Sequence, residues 1–249
     1  MGVTIDLNCD LGEGAGHDAE LMALVTTANI AAGGHAGDEE TMRASVRLAR
    51  ENGVAVGAHP GFADRANFGR REQPVTADLV RVLVASQVES LRRIAADEGV
   101  VLGHVKLHGA LYNQVGRDAA LAAAAHEAVV SSGVRALLVP AGSVQEAVSR
   151  RLGGVRVVAE VFADRAYLAD GSLAPRTMPG AVLADEAAAA AQVIRFVREG
   201  RVRALTGQDI PLQGETVCLH GDGPRAVMFA RRLRAVLRQA GVAVRAFAS

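Results

Sequence analysis

Two kinds of segment alternate along this chain. Short apolar runs predict strands near residues 3–9, 27–32, 54–58, 102–107, 135–139, 155–160 and 215–219. Stretches with apolar positions at helical spacing predict helices near 39–52, 76–98, 119–131, 143–152, 184–199 and 224–240, and a last apolar run covers 242–247. This alternation favours a parallel sheet with helices outside it. We therefore predict an α/β fold, an irregular (β/α) barrel of about seven parallel strands, with a doubly wound open sheet as the alternative.

The length agrees with one domain. The sequence has 249 residues, and (β/α) barrels use about 250 residues for a single domain. No linker rich in proline or serine and no block of like charges divides the chain. We expect residues 1–249 to form a single (β/α) barrel domain.

Polar and ionisable side chains collect where several predicted strands end. They are Asp6, Asn8 and Asp10 on the first strand, His59 on the third, His104, Lys106 and His108 on the fourth, and His220 and Asp222 after the seventh. Side chains on a strand alternate faces with a period of two, so each set of three shares one face. The carboxyl ends of parallel strands meet at one end of a barrel, where such folds place their active sites. The pattern therefore predicts an enzyme.

Lys106 is the most informative of these residues. A lysine on an interior strand is almost never buried without a paired acid. Asp6, Asp10 and Glu160 are the candidates for that acid. His104 lies one step deeper on the same strand face, and we expect it to be a hydrogen-bonding residue of the core.

These side chains are compatible with a metal-assisted and with a metal-free reaction. Asp10, His35 and His59 have the ligand types of a hydrolytic zinc or manganese site, which would activate water. The sequence contains no HExxH or CxxC motif, however. Without a metal, a carboxylate would act as general base, and Lys106 or His108 would stabilise charge on the substrate oxygen. A Walker A motif is also missing, so any nucleotide is held without a P-loop.

Two long predicted loops, 61–74 and 162–179, combine glycine, proline and charge. Loops of this length in a compact domain are often binding loops. Their arginines are suited to hold a carboxylate or a phosphate through paired hydrogen bonds. The candidates are Arg70, Arg71, Arg165 and Arg176.

Composition and charge narrow the classes of partner. Positive and negative side chains balance to a formal net charge of zero, and aromatic residues make up 3% of the chain, which argues against nucleic acid as a partner. No apolar stretch approaches the roughly 18 residues of a membrane span. Cys9 and Cys218 lie in predicted strands, where we expect two buried thiols of a reducing compartment. We expect a cytoplasmic protein that binds neither nucleic acid nor membrane.

Short motifs occur in order along nearly the whole chain. They read IDLNCDLGEG at 5–14, ANIAAGGHAGD at 28–38, GAHPG at 57–61 with FGRR at 68–71, HVKLHGALYN at 104–113, EVFADRAY at 160–167, PR at 175–176 with PGAV at 179–182, and LHGD at 219–222. In this combination the chain resembles the LamB/YcsF family. The set is far more specific than any of its motifs alone.

The resemblance implies a function, partners and a fold. It implies the first of three subunits of a 5-oxoprolinase, which opens the lactam of 5-oxoproline to L-glutamate with ATP as cosubstrate and Mg²⁺, together with separate subunits B and C. It also implies a barrel related in shape to polysaccharide deacetylases. The family usually has Cys-Gly-Phe-His where this chain has AGGH at 32–35, and Lys-Pro-His where it has KLH at 106–108. The first departure argues against a catalytic cysteine at position 32.

Together, the residue patterns and the resemblance predict two sets of site residues. The catalytic set is Asp10, His59, Lys106, His108 and Glu160. The set that binds substrate or nucleotide is Asp6, Asn8, Glu13, Asn29, His35, Arg70, Arg71, Arg165, Arg176, His220 and Asp222. Two other functions stay open. One is a stand-alone metal-dependent amidase or deacetylase-like hydrolase, and the other is a non-catalytic subunit that binds the substrate.

Overall fold

A closed barrel of parallel strands forms the centre of the molecule. The computed structural model describes residues 2–221, 223 and 225–247. Its strands are β1 (Thr4–Leu11), β2 (Thr27–Ala31), β3 (Ala55–His59), β4 (Leu102–Lys106), β5 (Ala136–Pro140), β6 (Arg156–Phe162), β7 (Arg201–Arg203), β8 (Asp209–Pro211), β9 (Thr216–Leu219) and β10 (Ala243–Val244). β1 to β6 pair in sequence order, and β9 lies between β6 and β1 and closes the ring. The predicted barrel of seven parallel strands is confirmed.

Helices surround the barrel. They are α1 (Asp18–Met22), α2 (Glu39–Asn52), α3 (Ala77–Asp97), α4 (Gly109–Arg117), α5 (Ala119–Ser131), α6 (Val144–Leu152), α7 (Glu186–Glu199) and α8 (Ala226–Gln239). The six helices expected from the pattern are α2, α3 and α5 to α8. The pattern missed α1, which has only five residues, and α4, which begins directly after a strand-end histidine. It also missed the antiparallel pair of β7 and β8.

Local sequence explains where the helices begin and how they pack. Asp38 and Thr76 cap α2 and α3, since their side chains accept hydrogen bonds from the backbone N–H groups of Thr41 and Leu79. Along α3 the buried side chains recur every three or four residues, which gives the helix one apolar stripe against the barrel. These side chains are Val80, Val84, Val88, Leu91, Ile94 and Ala95.

The interior of the barrel contains a polar layer below the strand ends. Asn29 Nδ2 donates hydrogen bonds to Asn8 Oδ1 at 2.8 Å and to Asp10 Oδ1 at 2.9 Å, and His104 Nε2 donates to Asn29 Oδ1 at 2.8 Å. His104 is buried, and this burial, with the charge of Lys106, lowers its pKa to about 3. The expectation that His104 is a hydrogen-bonding core residue is confirmed. The layer fixes Asp10 from below.

The core also contains two thiols and a helix histidine. Cys9 and Cys218 are free and buried, as expected. His126 on α5 is buried, because this helix packs against both α3 and α6, and it donates a hydrogen bond through Nε2 to the carbonyl oxygen of Gly153 at 2.7 Å. Within the described residues, none of the helices has the length and apolar character needed to cross a membrane.

Gly57 provides a test of this packing. A Cβ atom at Gly57 would overlap the imidazole of His104, so we expect Gly57→Ala to lower the free energy of unfolding by about 1–3 kcal/mol. Gly103→Ala is the matched control, because its Cβ would lie 3.6 Å from the nearest atom, the carbonyl oxygen of Val56. We expect the control to change stability by no more than about 1 kcal/mol. Urea unfolding of both variants checks this, and equal stabilities would contradict the packing described.

Candidate active site at the carboxyl ends of the barrel strands

Lys106, the only lysine in the sequence, lies at the centre of the site. Its Nζ is 2.7 Å from Asp10 Oδ1 and 3.2 Å from Glu160 Oε1, and all three residues are buried. The expected pairing of Lys106 with a buried acid is therefore confirmed. Burial lowers the pKa of Lys106, but the charge of Asp10 and, after it, that of Glu160 hold it well above its usual value. The site thus contains a cation shielded from water.

Asp10 joins this cation to a cluster of histidines. Its second oxygen, Oδ2, lies 3.2 Å from His59 Nε2. Burial alone would raise the pKa of Asp10, yet the charges of His59 and Lys106 hold it well below its usual range. A carboxylate with so low a pKa is a weak base. The geometry therefore gives Asp10 the role of keeping Lys106 charged and His59 in place.

The histidine cluster consists of Glu13, His35, His59 and His108. His35 Nε2 is 2.9 Å from Glu13 Oε1, and His108 Nδ1 is 2.9 Å from His59 Nε2. Glu13 Oε1 also lies 3.4 Å from His108 Nδ1 and 3.8 Å from His59 Nε2. The rings of His35 and His108 stack with their centroids 3.5 Å apart. Four residues from four separate segments thus direct their polar atoms to one point.

Backbone carbonyl groups fix the orientation of two of these imidazoles. His59 Nδ1 donates a hydrogen bond to the carbonyl oxygen of Lys106 at 2.8 Å, and His108 Nε2 donates to that of Phe68 at 2.8 Å. A carbonyl oxygen only accepts, so each of these nitrogens carries a hydrogen. Burial, followed by the charge of His59, lowers the pKa of His108 far below its usual value.

The first long loop covers the histidines. Phe68 adopts a left-handed backbone conformation with φ of 54°, which turns its carbonyl oxygen to His108. A Cβ atom on Gly69 would lie 2.8 Å from His35 Cβ, so glycine is required for this close approach. The loop was predicted to be a binding loop, and in the structure it packs directly on the imidazoles.

Three groups of the site were not predicted. Tyr112 on α4 donates a hydrogen bond from its hydroxyl to Glu160 Oε2 at 2.7 Å, and Cys218 Sγ lies 3.1 Å from Lys106 Nζ. Asp164 accepts from His220 Nδ1 at 2.9 Å. The position of Tyr112, four residues after His108 at the start of a helix, is the one signal that indicates its place.

The predicted binding residues fall into separate regions. Asn8 and Asn29 belong to the polar layer below Asp10. Asp6 lies deeper, about 13 Å from Asp10 along β1 at roughly 3.3 Å per residue, and its oxygens accept hydrogen bonds from the hydroxyls of Thr26, Thr27 and Thr216. Its pKa is raised by burial. The Asp6 carboxylate thus binds these three hydroxyls, whereas Lys106 pairs with the other two predicted acids, Asp10 and Glu160.

His220 lies at the edge of the site. It is paired with Asp164, and its ring stacks on Phe162 at 5.7 Å between centroids. Burial raises the pKa of Asp164, but the charge of His220 and their hydrogen bond hold it below the usual value. Asp222, the other residue predicted after this strand, lies outside the described residues.

The arginines differ in their surroundings. The guanidinium of Arg165 is buried and donates hydrogen bonds to the carbonyl oxygens of Ala174, at 2.6 Å, and Ala181, at 3.3 Å. It therefore stabilises the second long loop from inside. Arg70, Arg71 and Arg176 are exposed on the same two loops, and Arg70 lies 4.8 Å from the centroid of the Phe68 ring.

The barrel is similar to those of known deacetylases. The chain resembles the polysaccharide deacetylase Bc1974 from Bacillus cereus, with a TM-score of 0.52 and 16% identity over 99% of this chain and 93% of that one. It is also similar to a family 4 carbohydrate esterase from Streptomyces lividans, with a TM-score of 0.51 and 13% identity over 97% and 91%. These likenesses show a shared deacetylase-like barrel.

The family follows from closer matches. A model of the LamB/YcsF family matches residues 5–249, and the chain belongs to this family. It is similar over 98% of its length to the whole of the lactam utilization protein from Thermus thermophilus, with 45% identity and a TM-score of 0.91. The resemblance seen in the sequence motifs is confirmed.

Proposed function

We propose that this chain is the lactam-opening subunit of an ATP-dependent 5-oxoprolinase, a hydrolase that converts 5-oxoproline to L-glutamate. The observation that carries the proposal is Lys106, a buried cation held between Asp10 and Glu160, with Asp10 joined in turn to the histidine cluster through His59. The name of the similar protein from Thermus thermophilus supports a lactam as the substrate. The family resemblance supports 5-oxoproline in particular.

The chemistry of the lactam explains the need for ATP. The amide of the five-membered ring is stabilised by resonance, so water attacks it slowly. In the proposed reaction the γ-phosphoryl group passes from ATP to the carbonyl oxygen and ADP is released. Water adds to the activated carbon, the C–N bond breaks, and the nitrogen takes up a proton and becomes the amine. A second water releases phosphate from the γ-glutamyl phosphate, which gives glutamate.

The side chains present match these steps. The ammonium of Lys106 stabilises negative charge on the lactam oxygen and on the transferred phosphoryl group. Glu160 is our candidate for the base, since Oε2 accepts from Tyr112 whereas Oε1 accepts no hydrogen bond from any described residue, although it lies 3.2 Å from Lys106 Nζ. That oxygen is available to take a proton from water.

Binding of the substrate and the nucleotide requires other groups. The exposed arginines of the two long loops are suited to hold the carboxylate of 5-oxoproline. Lys106 and Glu160 are almost fully buried, so the loops must move apart for a substrate to reach them. The chain has no P-loop motif, and we propose that subunits B and C contribute to the use of ATP and Mg²⁺.

A coupling measurement tests the proposal. The purified chain is mixed with subunits B and C, 5-oxoproline, ATP and Mg²⁺, and glutamate and ADP are quantified together. We expect one ADP for each glutamate and no glutamate without ATP. The histidine cluster and the deacetylase-like barrel favour one alternative, a metal-dependent amidase. Glutamate formed by the chain alone without ATP would support that alternative and contradict the proposal.

A further inference from the structure

Two ring nitrogens that do not bind the backbone face each other inside the histidine cluster. His59 and His108 each use one ring N–H to bind a backbone carbonyl oxygen, as described above. The remaining nitrogens, His59 Nε2 and His108 Nδ1, lie only 2.9 Å apart. Two lone pairs at that distance would repel, so a proton or a metal ion must lie between or beside them.

The other polar atoms nearby add to this electron-rich point. Glu13 Oε1 lies 3.4 Å from His108 Nδ1, and Asp10 Oδ2 lies 3.2 Å from His59 Nε2. His35 turns Nε2 to Glu13, while its Nδ1 is buried and has no hydrogen-bond partner among the described residues. The ammonium of Lys106 forms no ion pair with Asp10 Oδ2, because it is paired with the other oxygen of that carboxylate, Oδ1.

We propose that Glu13, His35, His59 and His108 bind one divalent metal ion of the zinc class. One ligand atom from each lies within 4.8 Å of all the others. A tetrahedral zinc site with bonds of about 2.1 Å has ligand atoms about 3.4 Å apart. The four separations given above, from 2.9 to 3.8 Å, fall on both sides of that value. Three imidazoles with one carboxylate favour zinc over the oxygen-preferring Mg²⁺.

The surroundings are those of a prepared metal site. Metal-binding histidines commonly donate their second ring N–H to a carbonyl or carboxylate oxygen, which fixes the ring and directs the other nitrogen at the ion. His59 and His108 both do this, to Lys106 and Phe68. Glycine lets the loop at 61–74 lie close to these rings, since a Cβ atom on Gly61 would lie 2.7 Å from His35 Nδ1. The ligands are therefore oriented before an ion binds.

The ligand set differs from the one that the sequence suggested. That set was Asp10, His35 and His59. The structure places Glu13 and His108 with the two histidines, while Asp10 lies between the cluster and Lys106. The chemical role of the ion rests on the proposed function: with Asp10 between it and Lys106, it would supply a second positive charge to polarise the lactam oxygen or a bound water. Its binding is independent of turnover and is measured separately.

Zinc binding by the isolated chain tests the inference. The full chain is stripped of metal with a chelator and titrated calorimetrically with Zn²⁺ and, in parallel, with Mg²⁺. We expect one Zn²⁺ per chain and far weaker binding of Mg²⁺. Glu13→Gln and His108→Gln each remove one ligand. Removing a group that only hydrogen-bonds to a ligand lowers metal affinity by about 10–100-fold, and we expect each of these two variants to lose more affinity than that. His17→Gln is the control, because His17 precedes α1 and is not part of the cluster.

Two results would overturn the inference. One is that the folded wild-type chain binds no Zn²⁺, which would mean that a shared proton, and not a metal ion, lies between His59 and His108. The other is equal Zn²⁺ affinity in Glu13→Gln, His108→Gln and His17→Gln, which would place the metal elsewhere. Thermal unfolding of each variant confirms folding, and Glu13→Gln preserves the shape of the side chain if the histidine variant is unstable. Zinc binding without glutamate formation would contradict only the proposed function.

Discussion

Replacing Lys106 with methionine will lower the turnover of 5-oxoproline by about 10²–10³-fold, the usual cost of losing one donor to a developing oxyanion. Methionine has a similar length and no charge, so it fills the same space. In the wild-type chain the ammonium is held beside Asp10 and Glu160 in a site closed to water. A fixed charge in such a site stabilises a developing anion more strongly than it would in water. Steady-state glutamate formation with subunits B and C measures the effect.

The control must separate lost chemistry from lost folding. In Lys106→Met the two acids face each other without a cation, and one of them is expected to take up a proton. Thermal unfolding and circular dichroism show whether the barrel persists. Arg117→Met is the matched control, since it removes a cation from an exposed pair with Glu72, where such a pair contributes at most about 1 kcal/mol. A folded Lys106→Met variant with wild-type turnover would remove Lys106 from the mechanism.

Replacing Asp10 with asparagine will lower turnover by a similar factor and will move the alkaline limb of the pH–rate profile to lower pH. Asparagine keeps the shape and the acceptor oxygen, so the hydrogen bond from Asn29 can persist. The negative charge that keeps Lys106 protonated is lost. Because burial then acts against a weaker attraction, the pKa of Lys106 falls.

The direction of this shift follows from the sign of the pKa change. The pKa of Lys106 is raised in the folded chain, so the ion pair stabilises the fold fully below the unfolded pKa of about 10.4 and is lost as pH rises through the folded pKa. In Asp10→Asn this ion pair is absent and the pKa of Lys106 is lower, so the ammonium that the reaction needs loses its proton at a lower pH. Turnover measured from about pH 7 to 10 checks it, with Glu72→Gln as the charge-matched surface control. An unchanged alkaline limb in the folded variant would show that Asp10 does not maintain the charge of Lys106.

The strand ends could be predicted from the sequence because they depend on one regular property. Alternation with a period of two places His104, Lys106 and His108 on one face, and parallel order brings the ends of separate strands together. The requirement that a buried lysine pairs with an acid then limited its partners to three, of which Asp10 and Glu160 are the ones observed. These arguments need no knowledge of the loops.

The remaining contacts depend on how loops and helices fold back, which no periodicity indicates. The sequence predicted that Arg165 holds an anion, but its loop folds around it and backbone carbonyl oxygens accept its N–H groups. Tyr112 reaches Glu160 only because α4 starts directly at the end of β4. The meeting of Glu13 and His108 with His35 and His59 likewise depends on the turns after β1, β2 and β4. The sequence showed the residues, and only the structure shows this grouping.

The most direct test of lactam opening by this chain is an omission assay. Glutamate release is measured from 5-oxoproline, ATP and Mg²⁺ with this chain and subunits B and C, and each component is left out in turn. We expect glutamate only when all components are present, and a loss of product when Lys106→Met replaces the wild-type chain. No glutamate with all components folded, or equal glutamate when this chain is omitted, would contradict lactam opening by this chain.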